Sequence, residues 1–327
     1  MSKRVKFLIA VGIFLAAVLI SLVLLWFRPP VKNNSTSSSS KITNETKVNN
    51  NTGSLSFIES LRQRDYEASQ IKIEETLSNN SSYSSYTVFY LSDGLKIYAR
   101  MNIPLGDGPF PVILLNHGYF NTMSFTSGDG TQAMADILAR NGYLTLASDY
   151  RGFGKSENDG QGSRGHRPEY AIDVLNLIAS VKNLEKANAE KIGMWGHSMG
   201  GEVALRVAEA TDKVEAVVLW APTSARSEDN LRFYSRRHTS ATPNQQVSDG
   251  SSPIDYLHYI QAPISLHQGL SDTEVNPEWS KQLSEALAKE GKIVEYFEYE
   301  GQDHNFRNLG WDVISKRTVE FFNKYLK

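Results

Sequence analysis

A serine flanked by glycines is the strongest chemical signal in this sequence of 327 residues. The pattern G-x-S-x-G at residues 196–200 follows the strand-like run Lys191–Trp195 and precedes the helical pattern Gly200–Ala210. A serine in this strand–turn–helix setting projects its hydroxyl at the N-terminus of the helix, where free N–H groups favour negative charge. The pattern therefore predicts that Ser198 is a nucleophile, with a tight packing turn as the alternative.

Ser198 needs a partner, because a serine hydroxyl is a weak nucleophile unless a base takes its proton and an acid orients that base. Where the nucleophile occupies such a turn, the acid and then the histidine follow later in the chain. Asp272 and His304 come in this order, each in a loop directly after a predicted strand. Glu274 shares the loop of Asp272 and is the alternative acid. We expect an acyl-enzyme mechanism that requires no cofactor and no metal ion.

Two backbone N–H groups are predicted to bind the negatively charged oxygen of the tetrahedral intermediate. One belongs to Met199, directly after the nucleophile, and the other to Tyr119, in the loop after an earlier predicted strand. Gly118 would let the backbone of this loop approach the substrate. We therefore expect His117 and Gly118 to line the substrate site.

The elements that must position these residues are predicted strands and helices that alternate from residue 86 to the end of the chain. Apolar runs such as Val112–Leu115 are typical of strands buried on both faces. Eight strands are expected, which predicts an α/β fold with a mostly parallel sheet and helices on both faces. The ligand site of such a sheet lies outside the carboxyl ends of its strands. Residues 57–327 are predicted to form one catalytic domain.

An insertion is expected over residues 223–252, after the predicted strand that ends at Trp220. Because it follows a strand end, it could form a small cap over the site. Phe233 and Tyr234 within it are predicted to line an acyl pocket. A solvated, charged loop is the alternative for this segment.

The N-terminal region predicts a membrane anchor. Residues 7–27 carry no charge over 21 positions, and a helix of that length spans about 30 Å of hydrocarbon. Basic side chains in residues 1–6 favour a cytoplasmic N-terminus, so we expect a single-pass protein of the cell membrane with an extracytoplasmic catalytic domain. Residues 28–56 are rich in Ser, Asn and Thr and are predicted to be a flexible linker. A cleaved signal peptide is the alternative, although the apolar stretch is longer than is usual.

Composition excludes several classes of function. The chain has no cysteine, which excludes disulfide bonds, thiolate metal sites and a cysteine nucleophile. Beyond residue 32, 29 basic residues face 36 acidic ones, a net charge of −7, which argues against nucleic acid as a partner. No G-x-G-x-x-G motif follows an early strand, so a nicotinamide-dependent dehydrogenase is disfavoured.

Together these motifs resemble the α/β-hydrolase superfamily, and more narrowly the prolyl oligopeptidase-like (S9-type) hydrolases and the dienelactone-hydrolase-like esterases. The matching segments are NHGY at 116–119, DYRGFGKS at 149–156, GMWGHSMGG at 193–201, SPIDYL at 252–257, HQGLSDTEV at 267–275 and GQDHNF at 301–306. The resemblance implies the α/β-hydrolase fold, the triad Ser198–Asp272–His304, and oxyanion donors at Tyr119 and Met199.

The resemblance leaves the substrate open between a small ester and a short peptide. Prolyl oligopeptidases carry a large β-propeller that filters peptides, whereas only about 30 residues separate the predicted linker from the first predicted strand here. We therefore expect a carboxylesterase. A serine peptidase acting on short peptides is the first alternative, and a membrane-anchored binding protein without catalysis is the second.

Overall fold

The computed structural model describes residues 55–160, 168–237, 252–307 and 310–327. These ranges belong to one compact unit, Ser54–Lys327. The predicted anchor at residues 7–27 and most of the predicted linker lie outside the described residues. Within the described ranges, no helix is long and apolar enough to cross a bilayer.

One sheet of nine strands forms the centre of the described ranges. The strands are β1 (Lys72–Asn79), β2 (Tyr83–Ser92), β3 (Leu95–Pro104), β4 (Phe110–Asn116), β5 (Leu144–Ser148), β6 (Ala187–His197), β7 (Ala216–Trp220), β8 (Ile264–Gly269) and β9 (Val294–Tyr299). Their spatial order is β1-β2-β3-β5-β4-β6-β7-β8-β9. The pairs β1–β2, β2–β3 and β3–β5 are antiparallel, and the other five pairs are parallel. The sheet is therefore mostly parallel, as the sequence predicts.

Helices cover both faces of this sheet. In the described ranges they are α1 (Phe57–Gln63), α2 (Gln132–Arg140), α3 (Tyr170–Val181), α4 (Met199–Ala210), α5 (Ser227–Arg237), α6 (Pro277–Lys289) and α7 (Trp311–Leu326), with short 3₁₀ helices at Pro253–Asp255 and Leu257–Tyr259. Helices α1, α3, α4 and α6 contribute to one hydrophobic cluster, and α2 and α7 contribute to a second.

Strand β4 shows why the apolar runs of the sequence become central strands. Its Val112 and Leu114 enter the cluster formed with α3 and α4, whereas Ile113 and Leu115 enter the cluster formed with α2 and α7. All four side chains are buried. A strand covered on both faces needs apolar residues at every position rather than at alternate ones.

The prediction of eight strands is wrong by one, because the sequence pattern gives no sign of β1. All eight residues of this edge strand are exposed, so no apolar alternation marks it. Pairing with β2 holds it in place, with two register irregularities along the ladder. Irregular pairing of this kind is common at sheet edges, where it discourages further strand addition.

The segment that follows β5 is fixed by a buried ion pair. The Arg151 guanidinium donates to the Asp173 carboxylate in α3, with Nη2–Oδ1 at 2.8 Å and Nε–Oδ2 at 3.1 Å. The Arg151 backbone N–H donates to the same carboxylate at 2.8 Å, and Ser92 donates to it from its hydroxyl at 2.7 Å. Bidentate pairing and additional donors offset the desolvation cost of burying both charges. The pair joins the β5 end of the sheet to α3.

Candidate active site

Ser198 lies at the turn between β6, which ends at His197, and α4, which begins at Met199. Its backbone has φ of 57° and ψ of −123°. Residues other than glycine rarely adopt this conformation, which costs roughly 1–3 kcal/mol. The Ser198 backbone N–H donates to the carbonyl oxygen of Trp220 in β7 at 3.0 Å. This bond ties the strained turn to the neighbouring strand and holds the serine at the carboxyl edge of the sheet.

Close packing on both sides of Ser198 explains the glycines of the motif. A Cβ atom on Gly196 would lie 2.4 Å from the carbonyl oxygen of Gly200. A Cβ atom on Gly200 would lie 2.0 Å from the carbonyl oxygen of Asn116, the last residue of β4. Both distances are far shorter than van der Waals contact, so a larger residue at either position would displace the turn or β4.

The acid and the base predicted from chain order meet directly. His304, in the loop after β9, donates from Nδ1 to Oδ2 of Asp272 at 2.7 Å. Asp272 lies in the loop after β8, and its Oδ1 accepts the backbone N–H groups of Glu274 at 2.8 Å and of Val275 at 2.9 Å. Both Asp272 and His304 are buried. The side chain of Glu274, the alternative acid, is exposed, so only its backbone contributes to this cluster.

The hydrogen bonds to Asp272 fix the protonation of both groups. Burial raises the pKa of Asp272, but the bond from His304 and the two backbone N–H groups outweigh burial and hold that pKa below its ordinary value. Asp272 is therefore ionised at neutral pH, and an ionised carboxylate can only accept hydrogen bonds. His304 must then carry its proton on Nδ1, which leaves Nε2 able to accept a proton from a hydroxyl.

His197 connects the base to the nucleophile turn. Its Nε2 donates to the carbonyl oxygen of His304 at 2.9 Å, and the two imidazole rings lie 4.5 Å apart. Burial, with a smaller contribution from the charge of His304, lowers the pKa of His197 to about 4, so this ring is neutral at pH 7. The sequence predicts no role for His197, because the motif identifies the turn but not the loop that packs against it.

The loop after β4 approaches the nucleophile closely. A Cβ atom on Gly118 would lie 3.2 Å from Cβ of Ser198 and 3.4 Å from the carbonyl oxygen of His197. Within the described part of the chain, the backbone N–H groups of Tyr119 and Met199 donate to no backbone carbonyl. Tyr119 itself is 67% exposed, and it directly follows the glycine that approaches the turn. The oxyanion role of these two N–H groups stays a prediction.

His117 lies beneath this loop rather than in an open site. Its ring is buried, with centroids 4.4 Å from Tyr150 and 4.5 Å from Phe125. Its Nδ1 lies 2.7 Å from the carbonyl oxygen of Gly118, and Nε2 lies 3.3 Å from that of Asp149. Burial lowers the pKa of His117 to about 4. His117 thus supports the loop from within the core, and its predicted contact with substrate, like that of Gly118, stays a prediction.

The predicted cap is described only in part. Phe233 in α5 packs its ring against Trp279 in α6, with centroids 5.2 Å apart. The side chain of Tyr234 and residues 238–251 lie outside the described residues, so the acyl-pocket role of Phe233 and Tyr234 stays a prediction. Thr223, at the start of the predicted insertion, is buried and donates its backbone N–H to the carbonyl oxygen of Ser198 at 3.1 Å. It therefore supports the nucleophile turn from below.

The described residues offer the groups that acyl transfer needs: a strained serine, a histidine with an available Nε2, and an ionised acid behind it. Among the side chains described, no group of three or more histidines and carboxylates could hold a metal ion. Ser198, His304 and Asp272 follow three different strands at the carboxyl edge of the parallel part of the sheet, which is where ligand sites of such sheets lie.

Comparison with known proteins agrees with this geometry. A family model described as serine aminopeptidase, S33, matches residues 108–258, which is less than half of the chain. The chain is 26% identical over 232 residues to the uncharacterized peptidase YtmA of Bacillus subtilis (strain 168), covering 68% of this chain and 86% of that one. Four further curated relatives match over less than half of their own length.

Two solved structures show the same fold at low sequence identity. The acetyl xylan esterase from Paenibacillus sp. R4 aligns with a TM-score of 0.64 at 21% identity, over 82% of this chain and 92% of that chain. Dipeptidyl peptidase 4 from Porphyromonas gingivalis aligns with a TM-score of 0.58 at 20% identity, over 82% of this chain but only 37% of that one.

Proposed function

We propose that this chain, a serine hydrolase with the α/β-hydrolase fold, cleaves carboxylic esters through an acyl-enzyme on Ser198. The observation that carries the proposal is the buried 2.7 Å bond between His304 and the ionised Asp272, in a loop that His197 ties to the strained Ser198 turn. This arrangement has an oriented base and a fixed tautomer already in place before substrate arrives.

In the proposed reaction, Nε2 of His304 takes the proton of the Ser198 hydroxyl while Oγ attacks the ester carbonyl carbon. The carbonyl oxygen becomes negatively charged and accepts the backbone N–H groups of Tyr119 and Met199. The imidazolium of His304, stabilised by Asp272, then gives its proton to the departing alcohol as the carbon–oxygen bond breaks. Water repeats the sequence on the acyl-enzyme, with His304 again as the base, and releases the acid and free Ser198.

The likeness to an esterase along most of its length supports the choice of an ester substrate. The acetyl xylan esterase matches over 92% of its own length, whereas the dipeptidyl peptidase matches over 37%. The chain thus resembles an esterase over nearly the whole of that protein. A serine peptidase acting on short peptides is the second candidate, because the S33 family model and the relative YtmA both carry peptidase names.

The experiment compares short-chain p-nitrophenyl esters with chromogenic dipeptide amides, using wild type and Ser198→Ala. We expect ester turnover that falls by several orders of magnitude in the variant while folding is retained, since the alanine only removes the hydroxyl. Efficient amide cleavage that depends on Ser198 would replace the esterase assignment with the peptidase. Unchanged ester turnover in Ser198→Ala would contradict the mechanism. Wild-type protein that cleaves neither esters nor amides would favour a binding protein.

We also propose that residues 7–27 anchor the chain in the cell membrane as a single pass, with the catalytic domain outside the cytoplasm. The support is the sequence alone: 21 positions without charge, preceded by basic residues. The test is to fractionate cells that express the full chain or a variant lacking residues 1–32, and to add protease to intact cells. Anchoring predicts hydrolase activity in the membrane fraction and cleavage from outside. Full-length chain in the soluble fraction would contradict it.

A further inference from the structure

Gln268, the residue before the last of β8, contacts the predicted catalytic acid through the carboxylate oxygen that the loop N–H groups do not bind. Its Nε2 donates to Oδ2 of Asp272 at 3.1 Å, the same oxygen that accepts His304 at 2.7 Å. Gln268 is fully buried. We propose that Gln268 is a positioning residue that holds the Asp272 carboxylate toward His304, an inference that rests on the proposed function.

The orientation of the Gln268 amide follows from its other neighbours. Nε2 also donates to the carbonyl oxygen of Gly269 at 3.0 Å, and Oε1 accepts the hydroxyl of Ser280 at 2.7 Å. A flipped amide would face its oxygen toward two acceptors, the Asp272 carboxylate and the Gly269 carbonyl. Ser280 is fully buried in the first turn of α6. Ser280 of helix α6 therefore fixes the orientation of the Gln268 amide, and the amide in turn holds the Asp272 carboxylate.

The hydrogen-bond donors around Asp272 bind different oxygens of its carboxylate. The backbone N–H groups of Glu274 and Val275 hold Oδ1, so the loop alone fixes one oxygen. Only Gln268 shares Oδ2 with His304 among the hydrogen bonds of the described residues. Without Gln268, Oδ2 would be held only by His304, the ring that it has to orient, and small misplacements of catalytic groups are costly to the rate. Gln268 supplies a hydrogen bond to Oδ2 that does not depend on His304.

Loss of the amide has a second consequence, with a defined sign. An amide donor draws negative charge on Oδ2 away from His304, so its removal strengthens the attraction between the carboxylate and a protonated ring. Besides Asp272, the titratable groups that the described residues place near His304 include His197, whose ring is 4.5 Å away, and Asp303, the preceding residue. Neither changes in a variant at position 268. The ring of His304 should therefore hold its proton to higher pH.

The test uses Gln268→Met in the full chain, because methionine keeps the length of the side chain without its donor. We expect kcat to fall by roughly tenfold, the usual scale for one hydrogen bond to a charged group, with KM nearly unchanged. The acid limb of the pH–rate profile should move to higher pH by about half a pH unit. NMR of histidine-labelled protein, assigned with His304→Gln, should show the same upward movement of the His304 ring titration.

Two hydroxyl variants complete the test. Ser280→Ala removes only the hydrogen bond that orients the Gln268 amide. It should lower kcat and move the His304 titration in the same directions as Gln268→Met, but by smaller amounts. Ser180→Ala removes an equally buried hydroxyl in α3, where it accepts the Ser69 backbone N–H at 3.0 Å, and should change neither kcat nor the titration. If Gln268→Met and Ser280→Ala both leave the His304 titration at its wild-type pH, the inference is overturned.

The NMR readout keeps this inference separate from the proposed function. An enzyme whose ester turnover survives Ser198→Ala would fail the proposed function, yet the His304 titration would still report on Gln268. Conversely, Ser198-dependent turnover with no effect of Gln268→Met on rate or titration would leave the proposed function standing and remove Gln268 from it.

Discussion

Asp272 and Glu209 are both buried carboxyls, but hydrogen-bond donors surround only the first. Asp272 lies at the carboxyl edge of the sheet and accepts four donors, from His304, Gln268 and two backbone N–H groups. Glu209 lies in α4, about 16 Å along the helix from Ser198. Among the described residues, neither oxygen of the Glu209 carboxyl accepts a hydrogen bond.

The two surroundings move the pKa in opposite directions. Donors outweigh burial at Asp272 and hold its pKa below the ordinary value. At Glu209, burial raises the pKa well above the ordinary value, and the charge of Arg206 offsets this only in part. Burial alone therefore does not set the direction of the pKa shift at these two carboxyls, because Asp272 has four donors and Glu209 has none among the described residues. A loop at a strand end has N–H groups to offer, whereas the N–H groups inside α4 are already used by the helix.

Replacement of Asp272 itself is expected to have the largest effect. In Asp272→Asn, the new amide can donate toward His304, which favours the tautomer with its proton on Nε2, and that nitrogen can then no longer accept the Ser198 proton. We expect kcat to fall by about 10⁴-fold, measured with the best ester substrate. Glu274→Gln is the matched control, because its exposed side chain lies in the same loop and should leave kcat near wild type. Loss of activity in the control instead would make Glu274 the acid.

A smaller effect is expected on stability when Glu209 is replaced. A carboxyl whose pKa is raised by folding stabilises the folded protein at low pH. This contribution is lost as the pH rises from the ordinary pKa of about 4.3 toward the raised pKa. Glu209→Met removes that loss. The free energy of unfolding should increase by about 1–3 kcal/mol at pH 8, and the gain should shrink toward pH 4, measured by urea unfolding.

The control for Glu209→Met is Glu215→Gln, which changes a half-exposed carboxyl that lies 3.8 Å from Lys191. This variant should remain within about 0.5 kcal/mol of wild type at every pH. A loss of stability in Glu209→Met at pH 8 would show that Glu209 has a partner that compensates for its burial, and the contrast with Asp272 would disappear.

Asp149 is intermediate between Asp272 and Glu209, because it is a buried carboxyl with few hydrogen-bond donors. It is buried, Ser127 donates to its Oδ1 at 2.9 Å, and burial raises its pKa to about 7 against the opposing hydrogen bonds. Ser127→Ala removes one donor, so the pKa of Asp149 should rise further. The folded protein then loses stability over a wider range of pH. We expect the free energy of unfolding to fall by about 1 kcal/mol at pH 8 and by less at pH 5.

Ser124→Ala provides the control for Ser127→Ala, since Ser124 is exposed in the same loop and its hydroxyl contacts only the carbonyl oxygen of Asn121 in the described contacts, at 3.4 Å. Urea unfolding of this variant should follow wild type at both pH values. Equal losses at pH 5 and pH 8 in Ser127→Ala would mean that the hydroxyl supports the loop without affecting the ionisation of Asp149.

The sequence predicts Ser198, Asp272 and His304 as a group, because each follows a strand and parallel strands share one carboxyl edge. The structure brings Asp272 and His304 into contact as expected, and it gives Ser198 the backbone conformation of a strained turn. The central strands were equally predictable, since burial on both faces requires continuous apolar runs.

Other features depend on contacts that no local pattern records. Strand β1 is wholly exposed and exists through its pairing with β2. Gln268 gains its orientation from Ser280, which belongs to the following helix. His197 donates to His304, which lies in a loop more than a hundred residues later in the chain. Glu209 occupies a helix position that looks ordinary in the sequence, and only packing shows that it is buried.

An acyl-enzyme on Ser198 is tested most directly by locating the acyl group. Wild-type chain would be mixed with excess p-nitrophenyl acetate, quenched in acid during turnover, digested, and examined by mass spectrometry. The acyl-enzyme mechanism predicts one acetyl group per chain, on the peptide that contains Ser198, and no adduct in Ser198→Ala. Acetylation of another residue, or turnover that persists in Ser198→Ala without an adduct, would contradict it.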